Sequence, residues 1–540
     1  ISVSAFLLNR SSDLEIIKCL ATTKSASKCL EKWVTGVAAS GVFVKADGVT
    51  WATGVAGIPT GWTEISESEE GYEEEPDWDI SEAPVLRSWK IGSSDITLPY
   101  SVNAIDSHSS NYSKNSFNFY ATLILDTIQP TYIWFQHADQ TADIYINDVK
   151  VTTHWGGYNA FFTDITNYIS VGKNDVKVVL NNTTRTTIAP AAGDFNFSAT
   201  LGEVRLWTSP VLPDVTYGYD GFHILTTWNN DHTVATTTVT TSVPSDLANN
   251  AEVTLTISDA EAGGNYTYTE TKQGKGTITF THTESVSNLT LWQGTINPYL
   301  YNFKVEVSYG GTKYHIFTRD WGFRYYHYAI NEQVDGAAYT GFLLNGQKYY
   351  LRGVCMHCDK EGKANALTQE DFAGDFALIQ DLGCNFIRTA HYPHPKEVYE
   401  WCDKLGIIVQ TEVPCVNKFQ TTMPQDYYDH LFIQYADMVN QHYNHPSIIF
   451  WGLANEITTD DKTFAKTQLE AYITQIKTLD PERWVGYVLS HSYDDPSNAM
   501  GNPVCDWFGG NLYVGWYINK PTSETIKIDP TNQIQTRITK

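Results

Sequence analysis

The stretch SIIFWGLANE (residues 447–456) decides the fold. Seven residues, 448–454, run without a polar interruption and then stop on Asn455 and Glu456. A short apolar run of this kind, flanked by helical stretches, reads as a strand buried on both faces. Similar runs occur on either side of it, namely KYYLRGVCMH (348–357), CNFIRTAHY (384–392), GIIVQTEVP (406–414), RWVGYVLSH (483–491) and DWFGGNLYV (506–514). Between them lie helical patterns such as QEDFAGDFALIQDLG and TFAKTQLEAYITQIKTLD. Strand and helix in alternation imply a parallel sheet, here a (β/α)8 TIM barrel over residues 325–540. Six strands are countable where such a barrel needs eight, so strands seven and eight are expected outside these 540 residues.

Upstream the pattern is different. Residues 83–208 alternate apolar and polar positions in short runs such as SFNFYATLIL and TADIYIND, the mark of an antiparallel β-sandwich. Residues 209–324 do the same (TVATTTVTTSV, AEVTLTISD), which predicts a second, immunoglobulin-like sandwich. Residues 64–82 carry ten acidic side chains and no basic one, the composition of a solvated linker. Residues 1–63 read as an appendage of unknown role, with a helix expected around Leu14, Ile17 and Leu20.

A formal net charge of −25 argues against nucleic acid and anionic membranes as partners. No stretch is long and apolar enough to span a bilayer. Aromatic residues make up 13% of the chain, with 16 Trp and 33 Tyr, which suits a sugar-binding surface as well as a β-rich interior. The eight Cys form no even framework, and CMHC (355–358) lacks a second Cys pair, so neither a disulfide scaffold nor a metal site is expected. No cofactor motif is evident. A setting outside the cytoplasm (extracellular, periplasmic or virion-associated) is preferred.

In a TIM barrel the active site lies at the C-terminal strand ends. Those ends carry His357 with Asp359, Arg388 with His391, Glu412, Asn455 with Glu456, His491, and Asn511 with Tyr513. Polar residues converging from six strands onto one face mark that face as functional. Glu456 is the hardest to explain structurally, because a carboxylate beside apolar walls is costly without a role or a partner. Such burial also raises its pKa toward that of a general acid. Glu412 has two readings, a structural carboxylate that orients a neighbour or a site group, and Arg388 has two as well, an ion-pair partner within the barrel mouth or a site group.

NFIRTAHYP (385–393) with YEWCDKLGIIV (399–409), and NHPSIIFWGLANE (444–456), resemble the two signatures of glycoside hydrolase family 2, the β-galactosidase and β-glucuronidase family. GFR (322–324), NGQKYYLRGVCMHCD (345–359), NLYVGWY (511–517) and YINDVKVTTHWGGYNAFFTDIT (145–166) are similar to further family segments. The resemblance spans about residues 85–540 and is nearest to β-galactosidase-type members. It implies a retaining exo-β-glycosidase acting on a carbohydrate substrate, with two carboxylates about 5–5.5 Å apart. It assigns Glu456 as acid/base and Asn455 as the residue holding the sugar 2-hydroxyl. His357, His391, Tyr513, Tyr517 and Arg388 fall at sugar-contacting or supporting positions, with Glu412 and Asp359 behind them. Asp194, in GDFNF, matches an acidic residue sent in by the first sandwich. The family nucleophile, a Glu on strand seven, has no counterpart here; Glu524 and Asp529 stand in linker-like sequence. VPCVNKF (413–419) lacks the galactosidase-type metal ligands. A second chain or fragment completing the barrel, or a homo-oligomer, is therefore expected as partner. The alternatives are a β-glucuronide substrate, a non-catalytic carbohydrate-binding or structural protein of virion or surface, and an adhesin displayed by the appendage.

Overall fold

The computed structural model describes residues 16–19, 42–45, 63–66, 85–86, 88–104, 113–183, 186–191, 199–209, 221–260, 266–490, 500–501 and 503–511. The chain divides into two compact units, Ile1–Pro76 and Asp77–Lys540, parting within the acidic stretch. In the first unit Ile16–Cys19, Val42–Lys45 and Thr63–Ser66 form a parallel three-stranded sheet. The helix expected there is corrected at residues 16–19. The β-branched pair Ile16–Ile17 favours a strand, and its partner lies some two dozen residues downstream, beyond the reach of a local periodicity.

The second unit begins with a sandwich. One sheet has six strands, in the order Val149–Trp155, Thr141–Ile146, Gly172–Asn181, Ser116–Leu125, Trp89–Ile91, Ser94–Ile96. The facing sheet pairs Phe161–Asp164, Thr131–Phe135 and Val204–Thr208. Strict alternation turns Phe119, Leu123, Ile144 and Val178 inward against Ile133 and Phe135. The second sandwich closes a three-stranded sheet (Phe222–Trp228, Val234–Val243, Gly276–Ser285) on a four-stranded one (Thr267–Gly274, Ala251–Asp259, Tyr301–Tyr309, Thr312–Trp321). Val239, Val253, Leu255, Phe303 and Val305 fill its core.

The next element is not part of the parallel sheet. Tyr326–Val334, Ala337–Leu344 and Gln347–Lys348 make an antiparallel sheet. Its Phe342 and Leu344, with Tyr349, pack on Ile408, Ile449 and Trp484, the starts of three barrel strands. It therefore covers the end of the barrel sheet opposite the strand C-termini.

Six parallel strands then form a curled half-barrel: β1 (Gly353–Met356), β2 (Phe386–Thr389), β3 (Ile408–Glu412), β4 (Ile448–Thr458), β5 (Trp484–Leu489) and β6 (Trp507–Gly510). A short strand, Val416–Lys418, adds to the end of β4. Helices α1 (Gln369–Asp381), α2 (Lys396–Leu405), α3 (Gln425–His442) and α4 (Lys462–Leu479) cover the outer face. α2 stops because Gly406 takes φ +73°, a left-handed cap that glycine adopts without steric penalty. Asp461 caps α4 by accepting the Thr463 and Phe464 amides. The first sandwich leans on the barrel through Trp155 stacked on His430 (4.5 Å) and Tyr158 stacked on Tyr392 (4.4 Å).

Candidate active site

The site starts from Arg388, near the end of β2. Its side chain is buried, and a buried cation needs partners for every donor it can reach. Nε (2.9 Å) and Nη2 (2.7 Å) converge on Glu412 Oε1 at the end of β3. Nη2 also donates to Asn455 Oδ1 (2.7 Å) on β4, and Nη1 to Asn511 Oδ1 (3.1 Å), just past β6. One guanidinium thus ties four strand ends together.

Glu412 has no exposed surface. Burial pushes its carboxyl pKa up, but the Arg388 charge and the His391 hydrogen bond outweigh burial and hold it below the ordinary value. His391 Nδ1 lies 3.0 Å from Glu412 Oε1, which can only accept, and 2.9 Å from Arg388 Nη2, which can only donate, so it sits between the two members of the ion pair. Room for Glu412 comes from the quoted stretch itself. A Cβ on Gly452 would lie 2.5 Å from Glu412 Cβ, so only glycine fits opposite it.

Asn455 and Glu456 are neighbours on one strand, where side chains normally alternate between faces. Here the pairing of β4 with β5 slips between Gly452 and Asn455, and Glu456 takes φ +50°. This left-handed backbone costs a non-glycine residue roughly 1–3 kcal/mol. It turns both side chains toward the same partner. Asn511 Nδ2 donates to Asn455 Oδ1 (3.0 Å) and to Glu456 Oε1 (2.7 Å). Glu456 is half-buried, so the enclosed carboxylate expected of it from sequence is Glu412 instead.

His357 is exposed beyond β1, with Nδ1 3.1 Å from the Tyr392 hydroxyl and its ring edge-on to His391 at 5.4 Å. Tyr392 is buried and also accepts the Cys358 amide, so the sandwich residue Tyr158 stacked on it supports this corner. The structure therefore brings together Arg388, His391, Glu412, Asn455 and Glu456, with His357 alongside. Asp359 is exposed two residues beyond His357. Asp194, His491, Tyr513, Tyr517, Glu524 and Asp529 lie outside the described residues. Sequence reasoning named Asn511 only as a strand end and missed its bridging role, as it missed Tyr392 and Tyr158. The HYP within NFIRTAHYP was the available signal for Tyr392.

Among the described residues no group of three or more His, Cys, Asp or Glu is arranged to hold a metal ion. Within CMHC, Cys355 is exposed and Cys358 buried, and burial pushes the Cys358 thiol well above its usual range.

Comparison with known sequences places this geometry. Residues 220–324 match the model of glycosyl hydrolases family 2, and residues 338–539 match that family's TIM barrel domain. This chain belongs to glycoside hydrolase family 2. Among curated family members, the Bacteroides fragilis β-glucuronidase is 28% identical over 476 residues, covering 81% of this chain and 63% of that protein. Among solved structures, a putative β-galactosidase from Bacteroides fragilis superposes with a TM-score of 0.70 at 26% identity, over 81% of this chain and 67% of that one. Bacteroides uniformis β-glucuronidase 2, covalently bound to cyclophellitol-6-carboxylate aziridine, gives 0.70 at 27% identity, over 80% and 55%. The chain thus spans less than two thirds of the length of the curated relatives it matches, and glucuronidase is the more frequent name among them.

Proposed function

We propose that this chain carries the acid/base side of a retaining exo-β-glycosidase, and that its sugar is a β-glucuronide rather than the β-galactoside favoured by sequence reading. The observation that carries the proposal is the Asn455–Glu456 pair at the end of β4, fixed by Asn511 and Arg388. The names of the relatives carry the choice of sugar.

The chemistry follows from the geometry. Asn455 Oδ1 accepts from both Arg388 and Asn511, which fixes the amide so that its Nδ2 donates outward, to the sugar 2-hydroxyl. Such a contact strengthens in the transition state. Glu456 Oε1 accepts from Asn511 Nδ2, which orients the carboxyl at the end of β4. In the first half-reaction Glu456 delivers a proton to the leaving oxygen while a second carboxylate attacks the anomeric carbon. In the second half-reaction the ionised Glu456 takes a proton from water as the glycosyl bond to that carboxylate breaks. The second carboxylate is the strand-seven Glu expected outside this sequence. Glu412, enclosed and paired with Arg388, serves to orient rather than to react.

The test compares p-nitrophenyl β-D-glucuronide, β-D-galactoside and β-D-mannoside as substrates for the protein expressed from its own gene, wild type against Glu456→Gln. Glucuronide turnover lost in the variant supports both parts of the proposal. Equal turnover in the two proteins would remove Glu456 from the reaction, turnover in neither would leave sugar binding without hydrolysis as the reading, and galactoside preference would overturn the choice of sugar.

A further inference from the structure

His357 stands at the barrel mouth on the segment between β1 and α1, and it is exposed, as are residues 359–363. A surface segment with so little burial is ordered by what its ends are tied to. Some of its contacts are local. The Lys360 amide donates to the Ala364 carbonyl (2.9 Å), and the Lys360 and Lys363 ammonium groups hold Asp371 at the start of α1 (2.8 and 2.7 Å). These contacts give the segment its shape.

Its place over the strand ends is set from the first sandwich, at both ends of the segment. Behind His357, the Tyr392 hydroxyl accepts the Cys358 amide (3.1 Å) and lies 3.1 Å from His357 Nδ1. The Tyr392 ring is in turn stacked on Tyr158 of the sandwich, at 4.4 Å and 17°. At the far end Asn365 is buried. Its Nδ2 donates to Asp139 Oδ2 (2.8 Å), and its Oδ1 accepts from Thr200 Oγ1; Asp139 and Thr200 are both buried sandwich residues.

The two clamps act as one body. Gly157 stands between them, and a Cβ there would lie 3.0 Å from Asp139 Cα, so glycine lets Tyr158 and Asp139 come this close. The gap left against Cys358, Asn365 and Tyr392 has a volume of about 10 Å³, room for at most one water. Contacts packed this closely pass a displacement on instead of absorbing it.

We infer that Tyr158 and Asp139 of the first sandwich are positioning residues for the barrel-mouth site, acting through Tyr392 and Asn365 to set where His357 stands. That His357 meets the sugar there rests on the glycosidase reading; that the sandwich places His357 does not.

The experiment is a double-mutant cycle on the whole protein. It reads kcat/KM on the best of the three nitrophenyl glycosides for Tyr158→Ala, His357→Ala and the pair, together with backbone hydrogen–deuterium exchange. Tyr158→Ala should lower kcat/KM about 10–100-fold, the scale of loss from a misplacement of about 1 Å. Exchange over residues 357–366 should rise while that of β3 and β4 holds. In the His357→Ala background the same substitution should cost less than about twofold, because its effect runs through His357. Tyr158→Phe, which keeps the stacked ring, should keep the wild-type values. Asn365→Ala should reproduce Tyr158→Ala from the other clamp, and it replaces that variant if Tyr158→Ala does not fold. Equal losses in the two backgrounds, no loss in either, or unchanged exchange over 357–366 would overturn the inference. A wild type that turns over none of the glycosides would sink the glycosidase reading, and the exchange measurement would then decide the placement of His357 by itself.

Discussion

Two buried arginine–carboxylate clusters stand at opposite ends of the same half-barrel, and they do different things. At the base, Arg483 pairs with Asp480 (2.7 Å) and sends its other donors to the backbone carbonyls of Ile448, Tyr443 and His445. Trp451 and the Glu482 and Arg483 amides complete the acceptor side of Asp480. At the mouth, Arg388 pairs with Glu412 at the same 2.7 Å, but its other donors go to the side chains Asn455 and Asn511. In both, burial pushes the carboxyl up and the arginine more than reverses it. What differs is the far end of each network. A cluster bound to backbone fixes where strands begin, whereas one bound to side chains passes its rigidity to groups that face solvent, here Glu456 and His391. β4 connects them, with Ile448 and Trp451 in the first and Asn455 and Glu456 in the second.

If that division is right, the two ends should fail differently. Glu456→Gln should lower kcat on a β-glucuronide on the order of 10²–10⁴-fold, the usual weight of general acid/base catalysis, with thermal stability unchanged. Arg483→Leu should do the opposite, since stranding Asp480 costs about 3–5 kcal/mol of stability in chemical denaturation. Activity per folded molecule should hold. Asn511→Ala should fall between them: loss of a charge-assisted hydrogen bond of about 1.5–3 kcal/mol predicts a kcat reduced roughly 10–100-fold with a small change in stability. An Asn511→Ala protein with full kcat would remove Asn511 from the positioning role.

The smallest effects are in pH. Glu412 titrates below its ordinary 4.5 in the folded chain, so its contribution to stability is complete above about pH 4.5 and is lost as pH falls through the folded value. Glu412→Gln should flatten that acid limb of the unfolding curve, and Asp480→Asn should do so equally. His223 gives a separate signal at the seam between the second sandwich and α3, with Nε2 3.2 Å from the Asn440 carbonyl and its ring stacked on Tyr443 at 4.1 Å. Burial lowers its pKa to about 4, with the Asn440 contact opposing. Being depressed, it supports stability above pH 6.5 and loses that support between 6.5 and about 4. Replacement by Gln should remove this step and leave the Glu412 step in place.

Much of this was legible in the chain. Each of the six expected strands overlaps a parallel strand of the structure, and β3, β4 and β5 are buried on both faces as their apolar runs imply. Arg388, His391, Glu412, Asn455 and Glu456 were all named from their places at strand ends. The sheet of residues 326–348 was not read as a separate layer. Its apolar residues meet Ile408, Ile449 and Trp484, which are distant in sequence and give no local periodicity. The strand at 16–19 was missed for the same reason, its partner being non-local. The bridging by Asn511 was illegible because an asparagine after a strand is ordinary turn chemistry until Arg388 and Glu456 arrive from other strands.

SIIFWGLANE by itself determined that a buried strand would end on a polar pair. What stands opposite its glycine, and which carboxylate is enclosed, only the tertiary structure decided. Glu412 is sealed behind Gly452 and neutralised by Arg388, while Glu456, turned by a left-handed backbone, reaches the mouth. The reason is physical: apolar patterning is written locally along a strand, but the partners that make a buried charge tolerable come from other strands and exist only once the sheet has curled.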